Sequence, residues 1–280
     1  MDVRSEYAKL RERYTIEDLV AIMDFLRSPD GCPWDREQTH ASLAGNMLEE
    51  AYEVVDAIGS GRPERLCDEL GDVMMQVVFH ADLARAEGTF GFEDVVTGIC
   101  RKLVSRHTHV FGADEAQTAS DVVDTWERNK RKEKGLRTTS ASMREVTRSL
   151  PALTRSEKVQ KRAAKVGFDW AEAAGAADKI VEELAEVREV ACQAIQDVDH
   201  ARRLEEEIGD LLFSVVNYAR KLEVEPELAL DRACEKFILR FTDMEAAIRA
   251  EGGELESMSL EEMDIWWERV KSARTPGGIQ

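Results

Sequence analysis

The residues with the clearest chemical potential are two sets of five carboxylates that share one spacing. In each set, an EExxE segment is followed farther along the chain by an ExxD segment. The first set is Glu49, Glu50, Glu53, Glu69 and Asp72, and the second is Glu182, Glu183, Glu186, Glu207 and Asp210. Mg²⁺ prefers oxygen ligands and is commonly completed by water and substrate phosphates. Because clustered carboxylates repel one another without a cation, both sets are predicted to be metal sites, with Mn²⁺ as a substitute ion.

Basic and aromatic residues follow each acidic set in the same order. A KxxxR pair comes first (Lys102 and Arg106; Lys236 and Arg240), and a WxxxK pair comes next (Trp126 and Lys130; Trp267 and Lys271). Lys179 and the three basic residues of the second copy could neutralise phosphate oxygens, and Trp267 could stack on a base. The chemistry indicated is attack of a metal-activated water on phosphorus.

The motifs carry unequal weight when each is taken alone. A single EExxE on a helix is most often a solvated face, a lone tryptophan is more often a packing residue, and a KxxxR pair is more often surface charge. The order of four matched elements in both halves is what favours function. We interpret His107 and His109 as structural, because the second copy lacks them, and segment 32–35 as a turn rather than a redox site.

Apolar residues recur at helical spacing along most of the chain, and no strand alternation is evident. This pattern predicts a helix that carries the first EExxE and helices at about 6–27, 64–87, 92–107, 119–133, 173–196, 202–222, 226–251 and 259–272. Gly71 and Gly209 fall inside two of them. Since glycine costs a helix about 1 kcal/mol relative to alanine, we expect a neighbouring helix to approach closely at both.

The matched order predicts an all-α chain of two tandem, similar helical domains. We place an N-terminal domain at 1–135, a linker region at 136–155 and a C-terminal domain at 156–280. Paired helices of this length commonly complete a four-helix bundle with a second copy, so we expect a homodimer.

The two copies differ along the flank that carries ExxD. In the second copy the flank continues as Ser214 and Asn217, whereas in the first it continues as Gln76 and Phe79. Asn217 can hydrogen-bond a sugar or base, and Phe79 cannot. The second copy is therefore predicted to bind nucleotide productively, and the first to be weak or regulatory.

Composition excludes several classes of protein. The net charge of −18 argues against a general nucleic-acid-binding protein, which needs a basic surface. Five widely spaced cysteines without a CxxC indicate reduced thiols rather than a disulfide framework or zinc site. No N-terminal apolar segment and no long apolar run occurs. We expect a soluble, cytoplasmic protein with no membrane partner and no direct nucleic-acid partner.

Three further segments resemble the MazG family of nucleoside triphosphate pyrophosphohydrolases. They are 31–40 (GCPWDREQTH), 106–112 (RHTHVFG, with Thr108 where the family usually has proline) and 157–170 (EKVQKRAAKVGFDW). The resemblance implies an all-α, two-domain homodimer. It also implies Mg²⁺-dependent hydrolysis of nucleoside triphosphates to monophosphate and pyrophosphate with little base selectivity, in nucleotide-pool regulation or house-cleaning.

By the same resemblance, the family's working site maps to the second domain. Its metal ligands correspond to Glu182, Glu183, Glu186, Glu207 and Asp210, and its nucleotide contacts to Lys179, Arg240, Trp267 and Lys271. Three other functions stay open at this point. They are a narrow pyrophosphohydrolase acting on dUTP or phosphoribosyl-ATP, a non-catalytic metal-dependent nucleotide sensor or regulatory interaction protein, and a helical oligomerisation scaffold.

Overall fold

The computed structural model describes residues 7, 10–193 and 198–273, and within these residues all regular structure is helical. The chain divides into two compact units, Met1–Lys130 and Arg131–Gln280. The all-α architecture is therefore confirmed. The predicted linker region 136–155 lies in the second unit and contains a short helix and the start of the next.

The helices of the N-terminal half begin where the local sequence favours them. They are α1 (Ile16–Leu26), α2 (Pro33–Glu37), α3 (Ala44–Ser60), α4 (Pro63–Ala86), α5 (Phe92–Arg106), α6 (Thr108–Phe111) and α7 (Ala119–Glu133). Thr15 and Asp18 form a capping box at the start of α1, with Thr15 N donating to Asp18 Oδ2 at 2.8 Å. Gly61 ends α3 with φ of 64°, a conformation that glycine adopts without a steric penalty.

The C-terminal half contains a second series of helices. They are α8 (Thr139–Arg144), α9 (Ala152–Ala164), α10 (Ala173–Ala191), α11 (Val198–Lys221), α12 (Pro226–Ala250) and α13 (Leu260–Ala273), with a 3₁₀ turn at Leu255–Ser257. Pro226 occupies the first turn of α12, where its missing N–H would have no helical partner in any case. In each unit the two helices that carry the acidic set, α3 with α4 and α10 with α11, pack against each other.

Several predicted boundaries differ from the observed ones. Residues 10–15 are not helical, so the opening helix begins at Ile16 and not near residue 6. Segment 32–35, which was predicted as a turn, contains the start of α2, because Pro33 suits a first helical turn. Helix α11 begins at Val198 rather than at 202, and α10 ends at Ala191; residues 194–197 lie outside the described residues.

The core of the first unit explains how its acidic helices are held. Met23 on α1, Leu43, and Val78, Phe79 and Leu83 on α4 form one buried cluster. The opposite end of α4 is less covered, since Leu70 and Met74 are half-exposed. The close approach expected at Gly71 and Gly209 was wrong for the single chain, because a Cβ at either position meets no atom of the described residues within 4 Å.

Apolar side chains remain exposed on the same helices that carry the acidic sets. Leu48, Tyr52 and Ile58 on α3 and Ile208 and Leu212 on α11 are all more than 40% exposed. Exposed apolar side chains that recur at helical spacing on one helix are typical of an interaction face. No helix in the described part of the chain is long and apolar enough to cross a membrane.

Candidate metal and nucleotide site

The second acidic set converges between α10 and α11. One carboxylate oxygen from each of Glu183, Glu186 and Glu207 lies within 4.8 Å of the other two. Glu183 is only 5% exposed, so its charge is poorly hydrated. Loss of hydration and the neighbouring charge of Glu183 raise the pKa of Glu186. Three hard oxygen donors that destabilise one another's charge suit a divalent cation such as Mg²⁺ or Mn²⁺.

The other members of the second set lie beside this cluster. Glu182 accepts a hydrogen bond from Lys179 Nζ at 2.9 Å, and the same ammonium lies 2.6 Å from Glu183 Oε1. The two carboxylates raise the pKa of Lys179, so the side chain stays charged. Asp210 lies one turn beyond Glu207 on α11 and is exposed. In this structure a lysine ammonium therefore supplies the positive charge at the cluster.

The first acidic set converges in the same way between α3 and α4. Glu50, Glu69 and Asp72 form the group whose oxygens lie within 4.8 Å of one another. A hydrogen bond with Glu69, together with the charge of Glu69, raises the pKa of Glu53. The structure thus brings both predicted carboxylate sets together, although only three members of each set fall within that distance.

The polar neighbours of the first cluster differ from those of the second. Asn46 stands at the position that corresponds to Lys179, one turn before the EExxE segment. Gln76 on α4 is only 3% exposed, and its Nε2 donates to Glu50 Oε1 at 3.5 Å. The other amide atom, Gln76 Oε1, has no hydrogen-bond partner among the described residues. The matching residue on α11 is Ser214. The first cluster thus has a neutral amide at Glu50 and the Arg65 guanidinium 3.4 Å from Glu69, whereas the second has a lysine ammonium at Glu183.

The remaining predicted nucleotide contacts lie on a different helix pair of the second unit. Lys236 and Arg240 are on α12, and Trp267 and Lys271 are on α13, which packs against α12. The Trp267 ring lies 5.1 Å from the Phe237 ring, measured between centroids, and Lys271 Nζ lies 2.8 Å from Glu268. Asn217 instead shares α11 with Asp210, two helical turns farther on, and is 8% exposed.

The residues interpreted as structural in the first unit are engaged in packing. The His107 ring meets Trp126 edge-on at 4.8 Å, and Arg106 lies 5.3 Å from the centroid of the same tryptophan. Thr108 donates a hydrogen bond to Asp114. Trp126 is therefore covered by residues of its own unit.

Sequence reasoning assigned no role to three residues that contact predicted site residues. Gln76 reaches the first cluster, and an Asp169–Arg220 ion pair reaches Asn217. Arg220 could have been found, since it follows Asn217 by three residues and so lies on the same side of the helix. Asp169 could not, because it is 51 residues away from Arg220 in the chain.

Comparison with known proteins agrees with this geometry. The family model for the MazG nucleotide pyrophosphohydrolase domain matches residues 38–111 and 174–244, and each match contains one acidic set. Trp267 and Lys271 lie beyond the second match.

Relatives from three bacteria each match about nine-tenths of this chain. A nucleoside triphosphate pyrophosphohydrolase of Escherichia coli K12 is 46% identical over 91% of this chain and 97% of its own. A nucleoside triphosphate pyrophosphohydrolase/pyrophosphatase MazG of Thermotoga maritima is 44% identical over 91% of this chain and 95% of its own. The protein YabN of Bacillus subtilis is 42% identical over 90% of this chain but only 50% of its own length. With two matched domains and this extent of identity, the chain belongs to the MazG family.

Proposed function

We propose that the protein hydrolyses nucleoside triphosphates to nucleoside monophosphates and pyrophosphate, with Mg²⁺ held by the acidic cluster of the second unit. The observation that carries the proposal is the convergence of Glu183, Glu186 and Glu207 beside a lysine ammonium. The names of the relatives in E. coli and T. maritima support the same activity. Mn²⁺ would substitute for Mg²⁺, because the cluster offers carboxylate oxygens and no nitrogen or sulfur ligand.

The bound ion would supply charge neutralisation of the triphosphate and an activated water. In the reaction proposed, a water oxygen would bond to the α-phosphorus as the bond from the α-phosphorus to the α–β bridging oxygen breaks. Pyrophosphate would leave with the bridging oxygen, and the protons given up by the water would pass to solvent. Glu183, Glu186 and Glu207 would hold the ion, with Glu182 and Asp210 at the edge of the site.

Lys179 would bind the phosphates in this scheme. Its ammonium already lies at the cluster, so a phosphate group arriving with the metal would find a cation within a few ångströms. Arg240, Lys236, Lys271 and Trp267 would contact the nucleotide from α12 and α13. An aromatic ring stacks on any base, which supports broad base selectivity.

The second unit is proposed as the working one because only its acidic helix has a polar residue two turns beyond the ExxD segment. Asn217 occupies the position that Phe79 takes in the core of the first unit. The first unit would keep its capacity to bind a metal through Glu49, Glu50, Glu53, Glu69 and Asp72, with a weak or regulatory role.

Product analysis tests the activity. Wild-type protein with Mg²⁺ is expected to release monophosphate and pyrophosphate in equal amounts from a panel of nucleoside triphosphates. Diphosphate with phosphate would refute the reaction proposed. Turnover of only one nucleotide in the panel would favour a narrow pyrophosphohydrolase, and binding without turnover would favour a nucleotide sensor.

We also propose that the chain forms a homodimer through the exposed apolar faces of α3, α4, α11 and α12. Leu212 on α11 is 52% exposed and lies beside Gly209, where the single chain leaves open space. Light scattering is expected to give twice the chain mass of 31.6 kDa. Leu212→Glu is expected to lower that mass, and a wild-type mass of one chain would refute the proposal.

A further inference from the structure

The Asn217 side chain is held in one orientation by its neighbours. Its Oδ1 accepts hydrogen bonds from Arg220 Nε at 3.0 Å and from Arg220 Nη2 at 2.7 Å. A guanidinium has donors and no acceptor, so the amide atom that faces it must be the oxygen. The Nδ2 group therefore points away from Arg220, and among the described residues no hydrogen-bond partner for it is found.

Asp169 in turn holds Arg220. Its Oδ1 lies 2.5 Å from Arg220 Nη2, and its Oδ2 lies 3.2 Å from Nη1. Lys221 adds a contact to Asp169 at 3.3 Å and donates to the carbonyl of Trp170 at 2.7 Å. The Arg220 side chain is 11% exposed and the Asp169 side chain 20%. The segment before α10 is thereby attached to the C-terminal end of α11.

The first unit has an ion pair at the same position of the repeat, with the charges exchanged. Asp82 follows Phe79 by three residues, as Arg220 follows Asn217. Asp82 Oδ2 accepts a hydrogen bond from Arg27 Nε at 2.6 Å, and the Arg27 guanidinium lies 5.3 Å from the centroid of the Phe79 ring. Here the arginine covers an apolar ring, and no amide is presented.

The position of Asn217 along α11 suits a nucleotide held at the acidic cluster. Glu207, Asp210, Ser214 and Asn217 recur at helical spacing, so they share one flank of the helix. At 1.5 Å per residue, Asn217 lies about 10 Å from Asp210 along the axis. A nucleotide whose phosphates contact the cluster is long enough to bring its sugar or base to that point.

We propose that Asp169 and Arg220 are positioning residues that fix Asn217 as a hydrogen-bond donor to the sugar or base of the bound nucleotide. This inference rests on the proposed function of the second unit. It identifies the ligand group as an acceptor, such as a ribose oxygen, a ring nitrogen or a base carbonyl. The first unit has no counterpart of this donor, because Phe79 and Asp82 replace Asn217 and Arg220.

Asn217→Asp is the variant that tests the donor role. A carboxylate keeps an oxygen for Arg220, so the fold is expected to be retained, but its second oxygen presents an acceptor where the amide presented a donor. We expect KM for nucleoside triphosphates to rise by about tenfold or more, since a ligand acceptor loses its partner and meets a negative charge. The value of kcat and the Mn²⁺ affinity without nucleotide are expected to stay near wild type. An unchanged KM would overturn the proposal.

Arg220 is tested separately, because it is proposed to act through Asn217. Arg220→Met is expected to raise KM with little change in kcat, and Arg220→Lys to restore part of the loss. Arg27→Met in the first unit is the matched control and is expected to leave KM unchanged. Thermal unfolding shows whether each variant is folded, and a folded Arg220→Met with wild-type KM would overturn the positioning role.

Failure of the proposed function gives a different result. If wild-type protein releases no pyrophosphate, hydrolysis is refuted, and calorimetric binding of nucleotide to wild type and Asn217→Asp decides the inference instead. Weaker binding by the variant supports the donor role, and equal binding contradicts it.

Discussion

Replacing Lys179 by methionine is expected to tighten metal binding to the nucleotide-free second unit. In the structure the ammonium lies 2.6 Å from Glu183, one of the three clustered carboxylates, so an incoming ion must displace it. A hydrogen bond between charged groups contributes about 1.5–3 kcal/mol. Because Glu183 is nearly buried, solvent screening reduces this contribution less than it would at an exposed surface. Relief of this competition corresponds to an affinity gain of about 10- to 100-fold for Mn²⁺.

Calorimetric titration with Mn²⁺ in the absence of nucleotide measures the effect. Lys161→Met is the matched control. Lys161 Nζ makes an i,i+4 ion pair with Glu157 Oε1 at a distance of 2.7 Å, and neither residue belongs to a carboxylate cluster. That variant removes the same charge and is expected to leave Mn²⁺ affinity within about twofold. Metal affinity that is unchanged or weaker in Lys179→Met would refute the idea that the ammonium occupies the place of the ion.

Three further outcomes are expected. Arg220 holds the pKa of Asp169 below its ordinary value of 3.8. The carboxylate therefore stabilises the fold above pH 3.8, and this stabilisation is lost as the pH falls through the lower pKa of the folded state. Urea titrations should show that Asp169→Asn is less stable than wild type at pH 7 and that the difference shrinks below pH 3.8. Leu43→Ala should lower the free energy of unfolding by about 2–5 kcal/mol, because Leu43 is 2% exposed within the first core, and a loss below about 1 kcal/mol would contradict this packing. Nucleotide with Mg²⁺ should quench tryptophan fluorescence in wild type and much less in Trp267→Phe, and equal quenching would exclude stacking on Trp267.

Helix positions followed from the sequence wherever local signals were strong. The prolines at the starts of α4 and α12 act within one helical turn, so their effect is visible in the spacing alone. The start of α1 was placed too early because apolar and charged residues before Thr15 fit a helix by composition, although they lie outside the capped segment.

Convergence of the carboxylates was also predictable, because two adjacent helices each carry acidic residues at helical spacing. The close approach of a neighbouring helix that was expected at Gly71 and Gly209 was wrong for the single chain, because a mid-helix glycine leaves space without showing that another helix occupies it. In the single chain both glycines face open space among half-exposed apolar residues.

The ion pairs next to Phe79 and Asn217 join segments that are distant in the chain. Arg27 and Asp82 are separated by 55 residues and Asp169 and Arg220 by 51, so no spacing rule joins them. The exchange of charge between these two pairs is visible only when the units are compared in three dimensions. Arg220 fixes the orientation of the Asn217 amide, whereas the Arg27 guanidinium covers the Phe79 ring.

Pyrophosphate release by Glu207→Gln and by Glu69→Gln tests most directly whether the second unit carries the reaction. Each substitution removes one carboxylate charge from one cluster and keeps the shape of the side chain. We expect Glu207→Gln to lower kcat/KM by about 100-fold or more, since changes even beyond the ligand shell of a metal cost 10- to 100-fold, and Glu69→Gln to stay within about threefold of wild type. Intact hydrolysis in Glu207→Gln with loss of hydrolysis in Glu69→Gln would contradict this and place the reaction in the first unit.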